Sequence, residues 1–263
     1  MIPSLEIIQI ARIKGVPLST IERDYAQNWL LSELSTYPLV LKGGTGIKKV
    51  YFGDYRFSDD IDFTATKDIN KKLLNEWFDK ATKNVQKKSG IYFKCENTNI
   101  NEDTTGFEVN TYFQITQKKT HLTKIKIDIT SYDKEKLLLP INIMKIIHPY
   151  SDNLQVDIKV YAIEEILAEK IRSFFQRTRP RDLYDVWFLW DKISQLKCLD
   201  ILQQKFSFSR VKFNIQDLAN RKDDFKCAWE NSLKHQLTSI PDFEYVYREV
   251  LELIINNIKI TNN

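Results

Sequence analysis

The stretch Arg56-Phe-Ser-Asp-Asp-Ile-Asp-Phe63 decides how this chain is read. In extended backbone, alternate side chains share a face. Asp60 and Asp62 therefore point one way, while Ile61 and Phe63 point the other, toward an apolar core. Two like charges side by side on one strand face repel and destabilise it. A divalent cation relieves that repulsion, and magnesium is satisfied by one or two carboxylates together with phosphate oxygens and water. A solvated edge strand can carry the same Asp-x-Asp pattern, so the neighbouring segments have to separate the two readings.

One neighbour is the run Leu122–Tyr132, which alternates cleanly. Ile125, Ile127 and Ile129 face one side, and Lys126, Asp128 and Thr130 face the other. If this strand lies beside Asp60–Ala65, Asp128 becomes a third carboxylate, and three carboxylates can hold two metal ions for an in-line displacement. Taken by itself, Asp128 reads equally well as a solvent-facing strand residue. On the other side in sequence, Lys42-Gly43-Gly44-Thr45-Gly46 follows a short apolar strand, Leu39–Leu41. Glycines permit positive φ and close backbone approach, and successive N–H groups in such a turn make a nest for an anion. A helix beginning at Thr45 would add its positive end. Lys42, Lys48, Arg56 and Ser58 join Gly43, Gly44 and Thr45 as candidate nucleotide contacts, with Lys49 a further nearby cation. The spacing matches neither a P-loop nor a dinucleotide fingerprint.

A second anomaly lies at Ile163–Phe174. Ile163, Ile166, Leu167, Ile171 and Phe174 form a helical apolar stripe, and Lys170 falls inside it. A buried ammonium is costly unless paired. Either its head reaches water along a packed stem, or it meets a fixed negative charge such as a carboxylate cluster or a triphosphate. Downstream, Pro180 suits a first helical turn, and Asp182 and Asp185, three apart, share a face. Arg177, Arg179 and Arg181 make a basic cluster suited to a phosphate or RNA backbone, or simply to water.

The rest of the chain is ordinary. Its 263 residues are 43% hydrophobic and 28% charged, with net charge +4 and only 7 glycines. That mild basicity permits a polyanionic partner without demanding one. Cys95, Cys198 and Cys227 are far apart and show no zinc spacing, so they read as reduced packing residues of a cytoplasmic protein. Met1–Gly15 lacks the features of a signal peptide, and no apolar run reaches the length of a membrane span. Helices are expected at Ser4–Lys14, Ser19–Ser35 and Asp68–Lys88. Strands are expected at Leu39–Leu41, Asp60–Ala65, Ile91–Glu96, Gly106–Thr116, Leu122–Tyr132 and Gln155–Tyr161. Helices follow at Ala162–Gln176, Arg181–Lys192, Ile215–Trp229 and Phe243–Ile258. The class is α+β: a mixed sheet domain over residues 1–160 with flanking helices, then a helical bundle domain over 161–263. No exposed heptad or apolar stripe argues for an oligomer, so a monomer is expected.

Taken in order, Lys42-Gly-Gly-Thr45, Tyr55-Arg-Phe-Ser-Asp-Asp-Ile-Asp-Phe63, Ile127-Asp128-Ile129, Glu165-Ile-Leu-Ala-Glu-Lys170 and Arg181-Asp-Leu-Tyr-Asp185 resemble the AbiEii-type nucleotidyltransferases. These are toxins of bacterial type IV toxin–antitoxin and abortive-infection systems, in the DNA polymerase β-like superfamily. The resemblance covers roughly residues 35 to 195. It implies transfer of a nucleotide from a nucleoside triphosphate, with Mg2+ or Mn2+, onto an acceptor, tRNA 3′ ends being one acceptor type, and a cognate antitoxin as partner. It also implies that Gly44-Thr45 binds the triphosphate, that Asp60, Asp62 and Asp128 hold metal, that Lys170 serves the phosphates, and that Asp182 or Asp185 completes the site. Thr45 stands where the family has Ser. The fourteen residues between Thr45 and Asp60 imply a longer connecting loop. A nucleotide-binding regulator without turnover, a small-molecule (antibiotic-type) nucleotidyltransferase and a purely structural interaction protein remain the rival readings.

Overall fold

A computed structural model describes residues 1–94, 99–103, 105–115 and 122–260. The chain divides into two compact units. One comprises Met1–Glu135 with Ile141–Tyr161, the other Lys136–Pro140 with Ala162–Asn263.

The first unit is built on an eight-stranded mixed sheet. Its strands are β1 (Leu39–Lys42), β2 (Ile61–Ala65), β3 (Tyr92–Phe93), β4 (Asn99–Glu102), β5 (Gly106–Gln114), β6 (Thr123–Thr130), β7 (Asn142–Lys145) and β8 (Asp157–Val160). The spatial order is β3-β5-β6-β2-β1-β8-β7, with β4 also pairing β5. β2 runs parallel to β6 and β1 parallel to β8; the remaining pairs are antiparallel. Alternation along the strands gives the sheet one apolar face. Ile61 and Phe63 of β2, Ile125, Ile127 and Ile129 of β6, and Phe107, Val109 and Phe113 of β5 are buried in a single core cluster. That cluster also takes in the apolar sides of helices α1 (Ser4–Lys14), α2 (Leu18–Leu34) and α4 (Lys71–Ser89).

Between β1 and β2 the glycine turn is itself helical: α3 (Gly43–Gly46) passes directly into a π-helical turn, Ile47–Tyr51. The helix thus begins two residues before Thr45, the expected start. The π turn occupies the long spacing between Thr45 and Asp60. Such turns arise mostly as single-turn bulges, frequently at functional sites. Here the turn carries two lysines inward. Lys49 Nζ lies 2.6 Å from Asp24 Oδ1 and donates to the Asp24 carbonyl at 2.7 Å, with side-chain exposures of 2% and 5%. Tyr150 Oη donates to the other Asp24 oxygen at 2.7 Å. Burial works against the Asp24 charge, but Lys49 and Lys48 overcome it and hold its pKa below the ordinary value. Burial drives Lys49 down to about 8 against the pull of Asp24. Beside this pair, Asn28 donates to His148 Nδ1 at 3.0 Å, leaving the Nε2 proton to reach Asp152 at 2.6 Å; Tyr25 and Trp29 donate to the same carboxylate.

The second unit is helical: α5 (Ile163–Ser173), α6 (Pro180–Leu189) running into a 3-10 turn at Trp190–Lys192, α7 (Gln195–Phe208), α8 (Ile215–Asn220), α9 (Lys222–Leu233) and α10 (Phe243–Asn257). The expected single helix at 215–229 is broken at Arg221, whose φ of −100° and ψ of 11° leave the helical region. Its guanidinium donates to the Asp217 and Phe174 carbonyls at two helix ends. Helix α7 and strands β4 and β7 were not anticipated. Residues 136–140 group with the helices. The Leu138 and Leu139 amides donate to the two oxygens of fully buried Glu165 at 2.8 and 2.9 Å, and Lys205, also fully buried, donates to the Lys136 carbonyl at 2.8 Å. Cys198 is buried, whereas Cys227 is exposed; Cys95, with Glu96 and Thr116, lies outside the described residues. Among the described residues, no helix is long and apolar enough to cross a membrane.

Removing one member of a buried ion pair leaves the other uncompensated, at a cost of about 3–5 kcal/mol. Lys49→Met is expected to destabilise the first unit by that amount in urea denaturation. Asp24→Asn combined with Lys49→Met should recover part of the loss.

Candidate active site

The register of four strands sets out the chemistry. Lys42 of β1 pairs with Asp62 of β2, Asp62 with Asp128 of β6, and Asp128 with Glu108 of β5. A row of one ammonium and three carboxylates therefore crosses the sheet on the face opposite the isoleucines. Asp60 precedes β2 by one residue. Burial is the main cause that raises the pKa of Asp128, and the charge of Asp62 adds to it, while Lys126 opposes both.

The glycine turn rests directly on this row. Gly43 has φ of +66°, and a Cβ there would overlap Asp62 Oδ2 and lie 2.9 Å from Asp62 Cγ. Only glycine allows the backbone so close to the carboxylate. A Cβ on Gly44 would meet Arg56 Nη2 at 2.9 Å and Ser58 Oγ at 3.1 Å. Arg56 and Ser58, expected as nucleotide contacts, thus lie against the turn: Arg56 is buried and donates to the Phe57 carbonyl, and Ser58 donates to the Asp60 carbonyl. Buried Thr45 donates its hydroxyl to the same Asp60 carbonyl, tying the turn to the start of β2.

The loop before Asp60 is held from α2. Gln27 donates to the Ser58 and Asp59 carbonyls at 3.1 and 3.0 Å, and Arg23 meets Asp59 Oδ1 at 2.7 Å. The neighbouring aspartates therefore differ: Asp59 anchors the loop to α2, while Asp62 belongs to the row. Lys48 is also among the expected nucleotide contacts. Its ammonium is buried and donates to the Gly53 and Tyr55 carbonyls at 2.7 and 2.9 Å, because the π turn directs it into the unit. Lys42 stays at the row, its ammonium 5.6 Å from the centre of the Tyr161 ring.

Glu108 and Lys126 are members of the site that residue-by-residue reading missed. Lys126 Nζ lies 2.9 Å from Asp128 Oδ2 and 3.2 Å from Glu108 Oε2, and Asn110 donates to Glu108 Oε1 at 2.8 Å. Aligning the two alternating runs as a hairpin would have revealed Glu108, since it pairs with Asp128.

Among the described residues, no three Asp, Glu, His or Cys side chains form a ready-made cation cage. The donor set nevertheless suits magnesium, which keeps waters and takes one or two carboxylates with substrate phosphates. Asp62 and Asp128, like charges in register, have the electrostatic need that a dication satisfies.

In the second unit Lys170 meets Asp182 Oδ1 and Asp185 Oδ2, each at 2.7 Å, with 12% of its side chain exposed. Arg177 Nε holds the other Asp182 oxygen at 2.9 Å. The fixed negative charge inside the apolar stripe is thus this carboxylate pair. Asp182 is desolvated, which raises its pKa, yet Lys170 and Arg177 prevail and keep it low. Of the arginine cluster, Arg177 is committed to Asp182, Arg179 is exposed and Arg181 is half-buried.

A family model described as nucleotidyl transferase AbiEii toxin, type IV TA system, matches residues 29–251. No curated protein sequence matches the chain. Among solved structures, MenT4, a nucleotidyltransferase toxin from Mycobacterium tuberculosis H37Rv, is similar with TM-score 0.66 and 18% identity, covering 97% of this chain and 90% of that one. JHP933 from Helicobacter pylori is similar with TM-score 0.52 and 24% identity, covering 91% and 93%. At these identities the likeness is one of fold.

Two substitutions probe the geometry. Gly43→Ala forces a positive φ on a residue with a Cβ, which costs about 1–2 kcal/mol, and pushes Asp62 aside; a lowered melting temperature is expected. Lys170→Met leaves two buried carboxylates facing each other and should cost about 3–5 kcal/mol in denaturant titration, with Lys170→Arg recovering most of it.

Proposed function

The chain belongs to the AbiEii family of type IV toxin–antitoxin nucleotidyl transferases, and from that premise we propose that it transfers a nucleoside monophosphate from a nucleoside triphosphate to the 3′ end of a tRNA, with a divalent cation. The observation that carries this reading is the contact of Gly43 with Asp62 beside the in-register pair Asp62–Asp128. It supports the reading because a glycine turn lies directly against a pair of in-register carboxylates.

In this proposal the N–H groups of Gly44 and Thr45, in the first turn of a helix and so without partners within it, receive phosphate oxygens. Lys42 offsets triphosphate charge. Asp60 and Asp62 are the carboxylates that would hold Mg2+ or Mn2+, shared with Asp128. When bound, the cation neutralises charge on the phosphates and lowers the pKa of the attacking oxygen. Asp128 orients the acceptor hydroxyl and accepts its proton. The acceptor oxygen then bonds to the α-phosphorus as the bond to the β-phosphate bridge breaks, and pyrophosphate leaves. Catalysis of this kind is positioning plus electrostatic stabilisation. Within the second unit Lys170 is fixed by Asp182 and Asp185; its role toward the phosphates is what the resemblance implies. Arg179 and Arg181, with the exposed part of Arg177, are assigned to the RNA backbone. A cognate antitoxin is the partner expected of the family.

Incubation with each α-labelled nucleoside triphosphate, magnesium and total bacterial RNA tests the reading. Label on tRNA-sized RNA is expected with the wild type, and removal of one carboxylate by Asp62→Asn should reduce it by at least about a hundredfold. Chelation with EDTA should abolish labelling. Tight nucleotide binding with no RNA labelled would replace this reading with the regulator or the small-molecule transferase.

A further inference from the structure

The carboxylate row carries its own cation. Lys126 precedes Asp128 by one alternation on β6, so both side chains rise from the same face, and the ammonium bridges Asp128 Oδ2 at 2.9 Å and Glu108 Oε2 at 3.2 Å. Glu108 is held by a second donor, Asn110 Nδ2 at 2.8 Å on Oε1, which keeps Oε2 turned toward Lys126. All three charged side chains are about one-third exposed, at 30%, 38% and 34%, so the ammonium can move without unpacking any core residue. One oxygen of the third carboxylate is therefore already taken by a cation, and that cation has a second partner to which it can retreat.

We propose that Lys126 is the resident counter-ion of Asp128, and that a divalent cation reaches Asp128 by displacing the ammonium onto Glu108. Lys126 and Glu108 are thus positioning residues that set the cation affinity of the site. This rests on the metal-dependent reading of Asp62 and Asp128 given above. The physical consequence is a site reluctant to load metal by itself. Displacing the ammonium breaks one charge-assisted hydrogen bond, and carboxylates alone do not complete the shell of a magnesium ion. A triphosphate brings both the missing oxygens and the negative charge that compensates the displaced ammonium, so metal and nucleotide load together.

Mn2+ binding to the nucleotide-free protein, read from the electron paramagnetic resonance signal of free Mn2+, tests this without reference to turnover. Lys126→Met should tighten Mn2+ binding by about tenfold, the scale of one nearby charge at a partly exposed site. Lys126→Arg, which restores the cation, should return to wild-type affinity, and Glu108→Gln, which removes the retreat, should bind more weakly than wild type. Lys124→Met separates displacement from general charge, since exposed Lys124 also acts on Glu108 through space but makes no such bridge; it should stay within about twofold of wild type. If Lys126→Met binds like wild type, or Lys124→Met tightens binding as much, the proposal is overturned and the metal reading stands. If Asp62→Asn leaves Mn2+ binding unchanged in both the wild-type and Lys126→Met backgrounds, the carboxylates are not the ligands, and the metal reading fails together with this one.

Discussion

The parallel pairing of β2 with β6 is the constraint on which the first unit depends. It sets Ile61 beside Ile127 and Phe63 beside Ile129 on the core side. The same pairing sets Asp62 beside Asp128 on the opposite side. A slip of one residue would exchange the two faces, burying carboxylates and exposing isoleucines. The energy of the core therefore enforces the juxtaposition of two like charges that neither strand would choose alone. The repulsion is small against the apolar burial that it accompanies, and Lys42 and Lys126, one at either side of the aspartates, reduce it further.

Both units handle largely buried lysines in the same way, by surrounding the ammonium with oxygen. Lys49 has Asp24, Lys48 has two carbonyls, Lys170 has Asp182 and Asp185, and Lys205 has Glu165, Glu169 and a carbonyl. Such pairs add little net stability over apolar replacements. They do make the geometry discriminating, since a misplaced segment would leave a charge uncompensated in the interior.

This pattern also explains which parts of the fold were legible in the sequence. Where polarity and burial agree, as in Ile125–Thr130 or Ser4–Lys14, alternation and period were sufficient to place the element. Helix α7 escaped because its stripe, Cys198, Ile201, Leu202, Lys205 and Phe206, has a lysine in the middle whose partner carboxylates lie on another helix. Lys170 interrupts its stripe in the same way but was visible as an anomaly, because the flanking apolar residues are stronger. Within the site, Asp60, Asp62, Asp128 and the glycine turn could be named from local pattern. Arg23 and Gln27 act through partners distant in sequence, and Glu108 meets Lys126 only across the pairing of β5 with β6, which no local pattern records. The inward placement of Lys48 is invisible in sequence, because nothing local signals that a π-helical turn rotates it into the unit.

The short segment Lys136–Pro140 has a consequence for how such a chain can be handed down. The polypeptide leaves the sheet unit, supplies five residues to the helical one, returns for β7 and β8, and then departs again. Neither unit is a continuous stretch of gene. A recombination joining residues 1–161 to some other partner would carry those five residues away from Glu165 and Lys205, whose oxygen and ammonium they satisfy. A helical unit cut out at residue 162 would lack the amides and the carbonyl that Glu165 and Lys205 bond, and would have to find other partners for them.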